Sequence, residues 1–150
     1  MKIAIGTDHA GYELKESLKT FLKEGGYEIV DCGAYEYNED DDYPDFVIPV
    51  ASAVSRGEAG RGIVIGGSGQ GEAMVANRFL NVRAAVFYGG EENIITLSRE
   101  HNDANVLSLG AKFLSVQDAE KAVELWLKTA FSSDERHIRR IEKINRVSQS

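Results

Sequence analysis

The stretch Gly62-Ile63-Val64-Ile65-Gly66-Gly67-Ser68-Gly69-Gln70-Gly71-Glu72 reads as a strand, a glycine-rich turn and the opening of a helix. Gly62–Ile65 is a short apolar, β-branched run, as expected of a strand covered on both faces. Four glycines between 66 and 71 let backbone N–H groups converge into a nest for an anion. Glu72 falls in the first turn of a predicted helix, Gly71–Arg78. Three familiar loops fail on spacing. A dinucleotide fingerprint starting at Gly67 needs glycine where Glu72 stands, a P-loop needs Lys followed by Ser or Thr, and a nucleophile elbow on Ser68 needs glycine where Gln70 stands. Two readings remain: an oxyanion-binding loop followed by a carboxylate, or a tight turn whose Glu72 complements the helix dipole.

Working outward, similar runs occur at Lys2–Gly6, Tyr27–Asp31, Ala84–Phe87 and Val106–Leu109, each reading as a strand buried on both faces. Helical patterns fall between them. Leu14, Leu18, Phe21 and Leu22 share one face before Gly25-Gly26 ends that helix. Val47–Ser55 is a second helix, with Pro44 near its start and Pro49 expected to shorten or kink it. Glu91–Glu100, Gln117–Ala130 and a C-terminal helix at about 134–146 complete the set. The alternation predicts an α/β fold: a doubly wound parallel sheet with helices on both faces, in a single domain over 1–150. Ligands of such sheets bind beyond the strand C-termini. That rule singles out Thr7–Gly11, Gly66–Glu72 and the turn after Phe87. Glu100–Asn105 joins them for its composition.

The chain has 150 residues, 43% apolar and 27% charged, which suits one soluble globular domain. No stretch is long and apolar enough to span a bilayer, so no membrane partner is expected. Polar Thr7-Asp8-His9 follows the first strand at once, unlike a signal peptide, and a cytoplasmic location is expected. The single cysteine, Cys32, excludes an intramolecular disulfide and a Cys-based zinc cluster within one chain. A net charge of −7 argues against nucleic acid as a partner. The charge is uneven: Glu36, Glu39, Asp40, Asp41, Asp42 and Asp45 form an acidic run, and Arg136, Arg139, Arg140, Lys143 and Arg146 a basic one. An acidic protein with one basic stripe suits a small anionic ligand.

Three further segments carry candidate chemistry. Asp8 either caps the first helix or orients a substrate hydroxyl or histidine. His101, in Glu100-His101-Asn102-Asp103-Ala104-Asn105, either caps a helix end or serves as a general acid–base near neutral pH. Arg136, Arg140 and Lys143 share a helical face that is either solvated or a phosphate clamp. Ile138, Ile141 and Ile144 lie roughly opposite and should pack inward or on a partner. The three histidines, His9, His101 and His137, have no local metal-pair spacing, so no metal or other cofactor is expected.

Together these segments resemble the type B ribose-5-phosphate isomerase family, which includes the galactose- and allose-6-phosphate isomerases. The resemblance rests on Gly6-Thr7-Asp8-His9-Ala10-Gly11-Tyr12, Asp42-Tyr43-Pro44, Gly66–Glu72 with Ala76-Asn77-Arg78, Glu100–Asn105, and Arg136-His137-Ile138-Arg139-Arg140, in order from Ile3 to about Arg146. It implies a Rossmann-like five-stranded parallel sheet and a homodimer, with pairing into tetramers left open. It also implies active sites at the subunit interface, a phosphorylated sugar as substrate, and metal-free aldose–ketose interconversion in pentose phosphate metabolism. One family group carries a cysteine base at the position of Gly66; the other carries a glutamate at that of Glu72, and this chain resembles the second. Cys32 reads as a small buried residue.

The resemblance assigns the roles as follows. His101, helped by Asp8, opens the furanose ring. Glu72 moves the proton from C2 to C1 through a cis-enediolate. The amides of Gly67, Ser68, Gly69, Gln70 and Gly71 and the Ser68 hydroxyl stabilise the developing oxyanion. Arg136 and Arg140 hold the phosphate, with His137 nearby. His9, Tyr43, Asn102 and Lys112 complete substrate binding, Lys112 standing where the glutamate group often has arginine. The leading expectation is a ribose-5-phosphate isomerase. Its rivals are a hexose-6-phosphate isomerase, a non-catalytic sugar-phosphate or nucleotide-binding module, and a serine hydrolase using Ser68.

Overall fold

The computed structural model describes residues 1–147; positions 148–150 of the expected domain lie outside the described residues. Strands β1 (Lys2–Thr7), β2 (Glu28–Asp31), β3 (Arg61–Gly66), β4 (Ala84–Phe87) and β5 (Val106–Gly110) form one parallel sheet in the order β2-β1-β3-β5-β4. Six α-helices connect and flank them: α1 (Tyr12–Glu24), α2 (Pro44–Ser55), α3 (Gln70–Ala76), α4 (Asn93–Glu100), α5 (Val116–Lys128) and α6 (Glu135–Val147). The doubly wound five-stranded sheet expected from the sequence is present.

Side-chain alternation along the strands sorts two cores. Ile3, Ile5, Ile63, Ile65, Leu107 and Leu109 face one layer, where Leu14, Leu18 and Leu22 of α1, Ile95 of α4 and Trp126 of α5 pack. Ala4, Val64 and Val106 face the other, against Val47, Val50, Ala51 and Val54 of α2 and Ala76 of α3. The three central strands are thus covered on both faces. β2 and β4 are edge strands and only half-buried, contrary to expectation. Their apolar runs match those of central strands, but among the described residues each has one neighbouring strand and lacks a second.

Pro49 does not shorten α2, which continues through it to Ser55. It removes one bond, to the Asp45 carbonyl, on an exposed face where water can satisfy that group. α6 carries the basic stripe as expected but buries only His137. Ile138 and Ile144 remain 40% and 49% exposed, so they do not pack inward within the chain.

Candidate active site

β1 and β3 lie side by side with Thr7 in register with Ile65. From β1 the chain runs outward to β2 on one side and to β3, β5 and β4 on the other. Such a switch point leaves a crevice beyond the strand C-termini. Here it is a cleft of ≈ 570 Å³, within the usual range for a small-molecule site.

The glycine-rich loop forms one wall. The Gly66 and Gly67 carbonyls accept from the N–H groups of Ala111 and Lys112, and the Gly69 carbonyl from the Ser108 hydroxyl. Peptide planarity then turns the Gly67 and Ser68 N–H groups away from β5. Gly69, with φ of 78°, makes the sharp entry into α3, a conformation that suits glycine. It is buried against the Leu109 backbone and is absent from the cleft wall, unlike Gly67, Ser68, Gln70 and Gly71. The Ser68 hydroxyl accepts weakly from the Gln70 N–H at 3.3 Å, and among the described residues no histidine hydrogen-bonds to it. It therefore lacks the activating base a serine hydrolase requires. A Cβ on Gly71 would come within 2.6 Å of the Tyr43 hydroxyl, so that phenol lies over the start of α3.

Glu72 is the more deeply buried of the two acids lining the cleft, 4% exposed against 7% for Asp8. Its carboxylate fills the space beside Gly66 where a side chain would otherwise stand. Among the described residues no ion pair or side-chain hydrogen bond holds it. Burial pushes its carboxyl above the usual range, the charge of Asp8 adds to this, and its own backbone N–H partly offsets it. The result is a more basic carboxylate than an exposed glutamate.

Asp8 and His9 form the opposite wall. Asp8 caps the short 3-10 turn His9–Gly11, accepting from the Ala10 N–H at 3.0 Å. It does not cap α1, whose cap is Gly11. Burial raises the Asp8 carboxyl despite that bond. Asp41 Oδ1 meets His9 Nδ1 at 2.7 Å and accepts from the His9 backbone N–H at 3.0 Å. Asp8, His9 and Asp41 thus form a cluster, one side-chain polar atom of each lying within 4.8 Å of the others. Sequence reading missed this grouping because Asp41 lies 32 residues from His9 inside an acidic run. It also missed Met74 and Phe113, which line the cleft beside Lys112. The aliphatic chain of Lys112 lies along Gly67, its Cε 3.3 Å from a Gly67 Cβ position.

The remaining predicted residues lie elsewhere. His101 and Asn102 precede β5, at the N-terminal edge of the sheet, whereas Glu72 follows β3 at the C-terminal edge. β5 has five residues, which separates those edges by about 13 Å. His101 stacks on His137 at a centroid distance of 4.3 Å. His137 is buried, its Nδ1 2.9 Å from the Ser132 hydroxyl. Burial, with His101 and Arg136 nearby, pushes its imidazole below the ordinary value. Arg136 and Arg140 are exposed on α6. Within one chain, then, Glu72, Asp8, His9, Tyr43 and Lys112 come together, while His101, Asn102, Arg136, His137 and Arg140 do not join them. Cys32 is half-buried outside the cleft, and burial raises its thiol.

Residues 3–144 match the family model described as Ribose/Galactose Isomerase. The chain belongs to this family. One relative of this isomerase family, ribose-5-phosphate isomerase B of Mycobacterium leprae, is 39% identical over 142 residues, covering 95% of this chain and 86% of its own length. The structure of Clostridium thermocellum ribose-5-phosphate isomerase B superposes with a TM-score of 0.94 at 46% identity, covering 99% of this chain and 98% of that one. The Mycoplasma genitalium enzyme, solved with bound ribulose 5-phosphate, gives 0.94 at 37% identity, covering 99% and 97%. No helix among the described residues is long and apolar enough to cross a membrane.

Proposed function

We propose that this chain interconverts ribose 5-phosphate and ribulose 5-phosphate as a ribose/galactose isomerase family member. The observation that carries the reading is Glu72: a buried carboxylate of raised basicity at the edge of an amide-rich loop. Removing a weakly acidic C–H α to a carbonyl needs such a base beside donors for the enediolate oxygen. Glu72 takes the C2 proton and returns it to C1. The Gly67 and Ser68 N–H groups and the Ser68 hydroxyl receive the charge that develops on oxygen.

The chain's split into two groups of candidate residues supports a homodimer. A second copy would bring its N-terminal sheet edge and α6 to the Glu72 cleft. His101 from that copy would then open the ring together with Asp8, Asn102 would meet a sugar hydroxyl, and Arg136 and Arg140 would hold the phosphate near His137. The uncovered isoleucines of α6 supply apolar surface for such an association. The reading includes a cytoplasmic location and a place in pentose phosphate metabolism.

The test is isomerisation by the purified protein with chelator present, comparing kcat/KM for ribose 5-phosphate, allose 6-phosphate and galactose 6-phosphate. Ribose 5-phosphate is expected to lead. Absence of turnover with all three sugars, with sugar-phosphate binding retained, would overturn the reading in favour of a binding module.

A further inference from the structure

Asp41 belongs to no element of regular structure, yet its side chain is nine-tenths buried. One oxygen, Oδ1, receives both the backbone N–H and Nδ1 of His9, at 3.0 and 2.7 Å. The other, Oδ2, is buried without a hydrogen-bond partner. Among the described residues His9 is therefore the carboxylate's sole side-chain hydrogen-bond partner. The ring in turn has Nδ1 committed to Asp41, while Nε2 makes no hydrogen bond among the described residues. His9 lines the cleft shared with Glu72 and Lys112.

We infer that Asp41 is a positioning residue, fixing the His9 imidazole with Nδ1–H toward the loop and Nε2 as its open donor, so that His9 meets the anionic substrate as an imidazolium. This rests on the reaction proposed above and extends it to a residue outside the cleft wall. The surroundings agree. Asp8 Oδ2 lies 4.0 Å from Nδ1, Glu39 adds a further negative charge, and Tyr37 presents its ring edge-on at 6.2 Å. The hydrogen bond to Asp41 is the foremost cause raising the imidazole above its ordinary value, ahead of opposing desolvation and the charge of Asp8. A buried carboxylate with one partner keeps that partner charged, and a residue held at both its backbone N–H and its ring Nδ1 loses little freedom when substrate binds.

The test pairs Asp41→Asn with Asp41→Glu, using ring NMR of His9 alongside pH profiles of kcat/KM on ribose 5-phosphate. In Asp41→Asn the His9 titration should fall to lower pH, because the hydrogen bond that foremost raises it is lost. The alkaline limb of kcat/KM should move down with it, mostly through KM, and Asp41→Glu should restore much of both. A His9 titration that stays put in folded Asp41→Asn would overturn the inference. So would a falling titration with an unmoved kinetic limb. Should the wild type turn over no sugar phosphate, the reaction reading would fall, while the ring titration would still decide whether Asp41 governs His9.

Discussion

The carboxylate of Glu72 and the Cα of Gly66 stand so close that a Cβ on residue 66 would overlap the carboxylate carbon and oxygens. One position can hold a side chain only if the other withdraws. A base at 66 and a base at 72 are therefore sterically exclusive in this fold, and glycine at 66 is a requirement of Glu72.

Gly66→Ala should accordingly disable the enzyme without unfolding it. The added methyl faces the far end of a flexible side chain, so Glu72 gives way while β3 stays paired. A displacement of about 1 Å at a reacting group costs on the order of 10²-fold in rate. The expected outcome is a loss of that size in kcat with a small change in KM, read by steady-state kinetics. A near-native melting curve would confirm that the sheet is intact.

Glu72 also makes activity and stability pull in opposite directions. Its carboxyl is raised in the folded protein, so the folded state favours the protonated form. Its contribution is most favourable below the unfolded value of about 4.3 and is lost as pH rises through the higher folded value. Glu72→Gln removes the ionisation. It should lower kcat by roughly 10²–10⁴, yet resist urea better than wild type at neutral pH, with the difference shrinking toward pH 4. Denaturation curves at the two pH values check the sign. A variant less stable than wild type at neutral pH would mean the ionised carboxylate is well solvated.

Much of this arrangement was legible in the sequence, for identifiable reasons. The strands of the sheet announce themselves because their neighbours on both faces demand apolar side chains, as at Ile63, Val64 and Ile65. Edge position was not legible, since Ile29-Val30 reads like a central strand. The glycine spacing exposed Gly66–Glu72 because its chemistry is local. The Asp41–His9 pair was hidden because nothing in a run of acids marks the one that folds inward. The edge occupied by His101 was implicit in the order of elements: a loop that enters a parallel strand must lie opposite a loop that leaves one.

Away from the cleft, Lys15 is fully buried, its ammonium 2.7 Å from Asp31 and 2.6 Å from the Ala34 carbonyl. Burial alone would raise the Asp31 carboxyl, but Lys15, Lys19 and the Gly33 N–H outweigh it and hold the carboxyl below its ordinary value. That stabilisation is present above the unfolded value of about 3.9 and is lost as pH falls through the lower folded one. Lys15→Ala strands the Ala34 carbonyl and leaves Asp31 with Lys19 and the Gly33 N–H. A loss of about 3 kcal/mol in urea denaturation at pH 7 is expected, narrowing in acid. A change below about 0.5 kcal/mol, typical of a surface substitution, would contradict it.

The separation of Glu72 from His101 yields the strictest test of the shared site. If each site takes Glu72 from one copy and His101 from the other, Glu72→Gln and His101→Gln are each inactive alone but complementary when mixed. In a mixed dimer one site collects both substitutions and the other collects neither. Random exchange makes half the dimers mixed, so about a quarter of wild-type activity should return. The measurement is kcat per site after the two variants are co-expressed, or unfolded and refolded together. Activity no higher than the sum of the separate variants would place both residues in the same copy's site, or remove His101 from the reaction. Recovery near a quarter fits one exchange geometry only, because sites built within single copies can never recover by mixing.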